Sequence, residues 1–297
     1  DLKAYFDSIR HDYLFALLDD RSIHATPLEV RYCKRFVNIH PQLAGECDPD
    51  EVDSRGALGI PQGTTISLFL ANLAMLPLDR QLEKIGAGFT RYADDILLWS
   101  DDYGTACRGV NALYEWSESA GVKVNLEKSR GLRLMVNSPK PQAEFQSIES
   151  VDYLGHRIGL TSVRPKASRI SQIRAGINKM IFATLLKEPM RGSQRMTRVL
   201  GGLDRDYVSL IWQLRRRLYG HLTERQVHRL RRGFVPHTGL SGVVAQFPVV
   251  SDRADFNQLD AWIRRQVWLA LRRRASILGP EIAPHSLPDV WSLPIER

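Results

Sequence analysis

The stretch Thr90-Arg91-Tyr92-Ala93-Asp94-Asp95-Ile96-Leu97-Leu98-Trp99 sets two adjacent carboxylates inside a short apolar run. Ile, Leu, Tyr and Trp suit a pleated, half-buried surface, whereas paired Asp residues favour a turn. The segment therefore predicts a β-hairpin with Asp94 and Asp95 at its tip. Two anions held side by side repel unless a cation joins them, and hard oxygen ligands on a tight turn suit Mg2+. A solvated Asp-Asp turn would need no cation, and the flanking sequence decides between the two.

Upstream of the hairpin, Gly59-Ile60-Pro61-Gln62-Gly63-Thr64-Thr65-Ile66-Ser67 reads as a tight turn from which Gln62 projects. Ser67 is the expected N-cap of an apolar helix reaching about Leu82. Earlier still, Asp1 to Ile9 alternates apolar and polar residues and predicts a strand running into a turn. Helical patterns follow at about Tyr13–Asp20 and Pro27–Phe36, and then an acidic, loop-like stretch from Asn38 to Leu58. Downstream, an amphipathic helix is expected from about Thr105 to Ser119, closed by Gly121. Strand signals recur at Val122–Asn125, Gly131–Val136, Glu144–Ile148 and Val151–Ile158, with a turn at Leu126–Ser129.

Beyond Arg164-Pro165-Lys166 the apolar residues recur at three and four, which predicts helices over Ala167–Leu186, Gly192–Leu203, Asp206–Tyr219 and Thr223–Arg232. A longer one is expected from Phe256 to about Ile277, with Phe256, Leu259, Ile263, Val267 and Ala270 on one face. Arg264, Arg265, Arg272, Arg273 and Arg274 mostly crowd the others. The tail from Gly279 holds four prolines and is expected to be irregular.

Charge divides along the same line. Residues 1–163 carry 17 Lys+Arg against 23 Asp+Glu, and residues 164–297 carry 24 against 10, of which 21 are Arg. Arg forks match phosphate oxygens in pairs, so the basic part points to a polyanionic partner. An acidic catalytic part joined to a basic holding part is what a nucleic-acid enzyme needs. No apolar run approaches the roughly 20 residues that span a bilayer. Cys33, Cys47 and Cys107 show neither metal-ligand spacing nor a disulfide framework, which favours a reducing cytoplasm.

Asp1, ending a strand that could lie beside the hairpin, would add a carboxylate to the same cation pair. Two metals about 4 Å apart clamp the attacking and leaving oxygens of an in-line phosphoryl displacement. Asp94 and Asp1 would bridge both ions, with Asp95 peripheral because neighbouring strand residues diverge.

The ordered series Asp1-x-x-x-x-Phe6-Asp7, Gly59-x-Pro61-Gln62-Gly63-x-x-x-Ser67-x-x-x-Ala71-Asn72, Tyr92-Ala93-Asp94-Asp95, Asn125-x-x-Lys128 and Tyr153-Leu154-Gly155 resembles that of the reverse transcriptases. It is most similar to the bacterial enzymes: group II intron-encoded, retron and defence-associated. The resemblance implies an α+β chain: a right-hand polymerase palm over residues 1–160, an antiparallel sheet with packed helices. An all-helical basic thumb over 161–279 and a tail over 280–297 would follow. It assigns Asp1, Asp94 and Asp95, with Leu2 beside them, to two Mg2+ ions, for which Mn2+ can substitute. It places Leu2, Phe6, Gln62 and Gly63 at the incoming nucleotide, with Phe6 excluding a 2′-hydroxyl. Tyr92 would lie near the primer end, Lys128 would assist pyrophosphate departure, and Tyr153-Leu154-Gly155 would grip the primer. Leu259-Asp260-x-Trp262-Ile263-Arg264-Arg265 resembles a thumb motif, which puts Arg264 and Arg265 at the primer and template.

The partners so implied are an RNA template, a DNA primer and product, dNTPs and, for some branches, a dedicated noncoding RNA. The family carries a fingers region before its first catalytic Asp, so a natural N-terminal extension ahead of Asp1 is expected. After the primer grip, Leu160-Thr161-Ser162-Val163-Arg164 lacks the retron Val-Thr-Gly, and no zinc-binding nuclease segment follows. An autonomous phage-defence enzyme fits this bare architecture, beside a maturase-type or retron enzyme. A catalytically idle RNA-binding scaffold is the alternative of another class, against which the three retained carboxylates speak. Template-independent or RNA-primed DNA synthesis would use the same residues.

Overall fold

Leu2–Lys3 forms β1 and the chain leaves it at once through Ala4, held at a positive φ of 48°, into a one-turn helix α1, Tyr5–Ser8. The expected strand over Asp1–Ile9 is thus cut to two described residues, because the left-handed step at Ala4 cannot continue a pleat. The computed structural model describes residues 2–38, 58–129, 131–138, 146–192, 199–200, 203–234 and 241–279. The chain divides into two compact units, Asp1–Arg133 and Leu134–Arg297.

In the first unit, α2 (His11–Leu18) and α3 (Pro27–Val37) follow α1, and α3 opens with a capping box in which Thr26 and Glu29 bond reciprocally. Helix α4 (Thr65–Ile85) is capped by Thr64, whose side chain accepts from the Ser67 amide. Ser67 therefore lies inside the helix, its hydroxyl turned back to the Pro61 carbonyl, rather than at the expected N-cap. Next come β2 (Gly88–Tyr92), β3 (Asp95–Trp99), α5 (Tyr103–Ala120) and β4 (Lys123–Val124). The expected C-cap is present: Gly121 closes α5 at φ 76°. Two antiparallel ladders result, β2 with β3 and β1 with β4, in which Leu2 faces Val124. Leu70, Ala74, Met75, Leu78 and Leu82 of α4 are buried against Ile9, Leu14, Ala112 and Trp116. Each large side chain so buried stabilises by roughly 1.5–3 kcal/mol.

In the second unit, β5 (Leu134–Met135) pairs in parallel with β6 (Ser147–Ile148). An antiparallel meander follows: β7 (Ser150–Tyr153), β8 (His156–Gly159) and β9 (Val163–Pro165). Helix α6 (Ala167–Ile181) continues through a π-helical stretch, Phe182–Leu186, into α7 (Lys187–Met190). Where a helix was expected over Gly192–Leu203, the described residues form the strand pair β10 (Val199–Leu200) and β11 (Leu203–Asp204). Helices α8 (Arg205–Tyr219), α9 (Glu224–Arg231) and α10 (Ala254–Leu278) complete the unit. Its core joins Ile170, Ile173 and Ile177 to Leu210, Leu214, Leu259, Ile263 and Val267.

The sequence puts Arg274 with the solvated arginines of α10, and here the structure differs. Arg274 stands four residues after Ala270 on the buried stripe and is itself buried. Its guanidinium reaches Asp204 at 2.8 Å, Asp206 at 2.7 Å and the Leu185 carbonyl at 2.7 Å, which satisfies the charge where water is excluded. The whole is α+β, and no described helix is long and apolar enough to cross a membrane.

Candidate active site

The hairpin predicted from residues 90–99 is present, in a register that runs from Gly88 opposite Trp99 to Tyr92 opposite Asp95. Its two turn residues are Ala93 and Asp94, so Asp95 is the first residue of β3 rather than half of the tip. Ala93 holds φ at 53°, a conformation usually left to glycine, and a non-glycine residue there stores strain that surrounding contacts must hold.

Those contacts come from Arg91. Its side chain forks onto Asp79 of α4, at 3.0 Å to Oδ1 and 2.6 Å to Oδ2. The remaining nitrogen donates to Asn72 Oδ1 at 2.8 Å and to the Ala93 carbonyl at 3.3 Å. Arg91 and Asp79 are 13% and 19% exposed, so the fork is largely shielded from water and holds its geometry better than a surface pair would. Asn72 and Asp79 lie seven residues apart, two turns along one face of α4, which is why one guanidinium can bond both.

The turn so fastened presents Asp94 half-buried, with no hydrogen bond or ion pair to its carboxylate among the described residues, and Asp95 exposed. Asp94 lies near enough to Tyr5 to act on its hydroxyl. Burial is the main cause that raises the Tyr5 ionisation, Arg91 opposes it, and Asp94 adds to the rise. Burial also pushes the neighbouring Tyr13 up to about 12, with the Trp116 indole bonded to its oxygen pulling the other way. Tyr5 donates to the Ala71 carbonyl and Tyr13 to the Ala74 carbonyl, which ties the first segment to α4.

Phe6, half-buried, stands edge-on to Tyr5 with ring centroids 5.5 Å apart. Alongside it runs the Gly59–Gln62 segment: the Gly59 amide donates to Ile9 at 2.8 Å and the Ile60 amide to Phe6 at 2.7 Å. Gly59 sits at φ +87°, and a Cβ on it would come within 3.1 Å of the Asp7 carbonyl oxygen, so only glycine allows this approach. Gln62 is thereby set where its amide donates to Asp7 Oδ1 at 3.1 Å. Lys128, exposed, lies in the turn that follows β4, where its amide bonds the Asn125 carbonyl.

The structure thus brings Gln62 to Asp7 and the Gly59–Gln62 segment alongside Phe6, while Leu2 pairs with Val124 on β4. Asp1 lies outside the described residues. The strand that follows it pairs with β4, not with the hairpin as expected; the Lys3–Ala4 turn limits that strand to two residues. Gly63 and Tyr92 are both exposed. The remaining predicted residues belong to the second unit. There Tyr153 ends β7, Leu154 and Gly155 make a tight tip with φ of 46° and 80°, and the Gly155 carbonyl accepts from the Lys166 amide. Arg265 is exposed, but Arg264 is drawn against Asp260 one turn before it and is only 12% exposed.

Sequence reasoning missed Arg91 and Asp79. The available signal was Asp79, the first charge after the largely apolar run from Leu68 to Leu78. The donor set fits a hard dication, since Asp94 and Asp95 offer only carboxylate oxygens. Among the described residues no three carboxylate, imidazole or thiol side chains converge, the third predicted ligand being Asp1.

The family model described as reverse transcriptase (RNA-dependent DNA polymerase) matches residues 1–158, which include every one of the first unit's predicted site residues. Among curated proteins the comparison finds no match. Matched over more than half its length, the chain belongs to the reverse transcriptase (RNA-dependent DNA polymerase) family.

Proposed function

We propose that the hairpin tip is the catalytic centre of an RNA-directed DNA polymerase, in which Asp94, Asp95 and Asp1 hold the metal and add dNTPs to a primer 3′-hydroxyl. The observation that carries this reading is the Asp94 carboxylate, half-buried and without a described partner on a turn that Arg91 fastens to α4. An unpartnered carboxylate kept partly out of water is costly unless a cation completes it. Two Mg2+ ions, when bound, acidify the primer hydroxyl and neutralise the charge that develops on the departing pyrophosphate.

The chain's own residues supply the rest. The 3′-oxygen attacks the α-phosphorus as the bond to the bridging oxygen of the β-phosphate breaks, and Asp94 keeps the reacting groups in register. Phe6, wedged against Tyr5, sits where a ribose 2′-hydroxyl would collide. Gln62, held by Asp7, orients the incoming nucleotide against the template, and Lys128 gives a proton or a charge to the leaving pyrophosphate. In this reading residues 1–160 are the palm, whose Tyr153–Gly155 grips the primer, and 161–279 the thumb, whose Arg265 meets primer and template. The protein works in the cytoplasm as an autonomous enzyme of antiviral defence.

Primer extension by the full-length protein with dTTP and Mg2+ tests the reading. Oligo(dT)-primed poly(rA) should be copied, and Phe6→Ala should raise UTP use relative to dTTP by about tenfold, the scale on which a pocket discriminates one small group. Absence of synthesis on poly(rA) by the parent would sink the polymerase reading, and an unchanged UTP/dTTP ratio would remove Phe6 from the nucleotide site.

A further inference from the structure

The second unit carries an aromatic platform that the catalytic reading does not use. Along α8, Leu210, Leu214 and Leu218 are buried, and the opposite face is Arg205, Val208, Ser209, Trp212 and Arg216, all exposed. Their spacing of three and four puts them on one stripe. Trp212 is 61% exposed and Val208 50%. The Arg216 guanidinium lies over the indole, 5.3 Å from its centroid. Trp262 and Trp268 also meet arginines, Arg174 and Arg272, but both are half-buried and spend ring area on the core. Among the described tryptophans of this unit, Trp212 is the one whose ring stands in water.

Leaving a large aromatic ring in water forfeits the burial that ordinarily stabilises it, so such a ring points to something that covers it. The cations on either side say what. Arg205 precedes Trp212 by two turns and Arg216 follows by one, in a segment of net charge +14 from residue 164 onward. A protein partner would have to desolvate both guanidinium groups, whereas a nucleic-acid strand meets them with phosphates while a base covers the ring. In duplexes the bases are already stacked on one another, so a free base is needed.

We infer that Trp212 and Arg216 form a stacking site for an unpaired base of single-stranded RNA, with Arg205 and Arg216 paired to the flanking phosphates. The choice of RNA over DNA rests on the family assignment. It does not rest on the assignment of Asp94, because stacking needs neither metal nor chemistry.

The test is binding of a fluorescein-labelled oligouridylate of about twelve nucleotides to the full-length protein in EDTA without dNTPs. The variants are Trp212→Ala, Trp212→Phe, Arg216→Gln and Asp94→Asn, each checked for parent-like circular dichroism. Trp212→Ala should weaken binding roughly tenfold, as loss of one base stack does, with the salt dependence unchanged. Trp212→Phe should keep most of the affinity. Arg216→Gln should lower the slope of log K against log salt by about one, and Asp94→Asn should bind as the parent does. A duplex RNA competitor should be insensitive to Trp212→Ala. The inference is overturned if Trp212→Ala leaves oligouridylate affinity unchanged, or if it weakens duplex and single strand equally. It is overturned too if the same substitution alters self-association while RNA affinity stays at the parent level.

Discussion

Arg91 on β2 and Asp79 on α4 meet as a two-toothed fork, 3.0 and 2.6 Å, and the same guanidinium holds the carbonyl of Ala93, the residue before Asp94. The proposed catalytic turn is thereby tied by one side chain to α4, the longest described helix of the first unit. Lys at this position would keep the charge but lose the planar fork. Arg91→Lys should therefore fold, and lower kcat by tenfold or more with little change in KM for dTTP. Arg91→Met leaves Asp79 shielded and unpaired, which costs on the order of 3 kcal/mol. Steady-state kinetics beside urea melts separates the two outcomes.

Gly59 is the hinge on which Gln62 reaches Asp7. With φ at +87° and the Asp7 backbone 3.1 Å from any Cβ, Gly59→Ala combines left-handed strain with a collision against backbone that cannot rotate away. The expected destabilisation is about 2 kcal/mol, read from the urea midpoint, together with a higher KM for dTTP. Gly63→Ala offers the comparison: it shares a positive φ but has open space around it, so its cost should be strain alone.

The Arg274 network makes a prediction for the second unit. Removing only the cation in Arg274→Met strands Asp204 and Asp206, and thermal or urea melts should show a loss of about 3–5 kcal/mol. Asp204 also caps α8 by accepting from the Asp206 and Tyr207 amides. Exchanging both carboxylates for Asn alongside Arg274→Met keeps the cap and should recover most of that loss.

These cases show which parts of the molecule were legible in the sequence. Long helices were, because their apolar stripes repeat over several turns: Pro27–Val37 and Ala254–Leu278 fall within one or two residues of the reading. The hairpin was legible because its aromatic and aliphatic flanks bracket a turn-forming pair. Two-residue strands such as Leu2–Lys3 and Val199–Leu200 are too short to carry a periodicity, and Leu2–Lys3 pairs with Lys123–Val124, far away in sequence. Arg274 was misread because a single charge on an apolar stripe betrays its burial only when the carboxylates that meet it are known. Of the candidate site, Asp94, Gln62 and Phe6 were singled out by their motif order, and the Arg91–Asp79 fork that fastens the turn was not. Arg91 and Asp79 are twelve residues apart and each looks like an ordinary surface charge until the helix and the strand are packed.

The central claim is that the Asp94 carboxylate acts in the chemical step. The most direct measurement is single-turnover extension of oligo(dT) on poly(rA) by the full-length protein at saturating dTTP and Mg2+, comparing the parent with Asp94→Asn. The substitution preserves size and removes the charge. The predicted result is a fall in rate of at least about a thousandfold, roughly 4 kcal/mol of barrier, with binding of the primed template unchanged. Extension by Asp94→Asn at the parent rate would contradict the account.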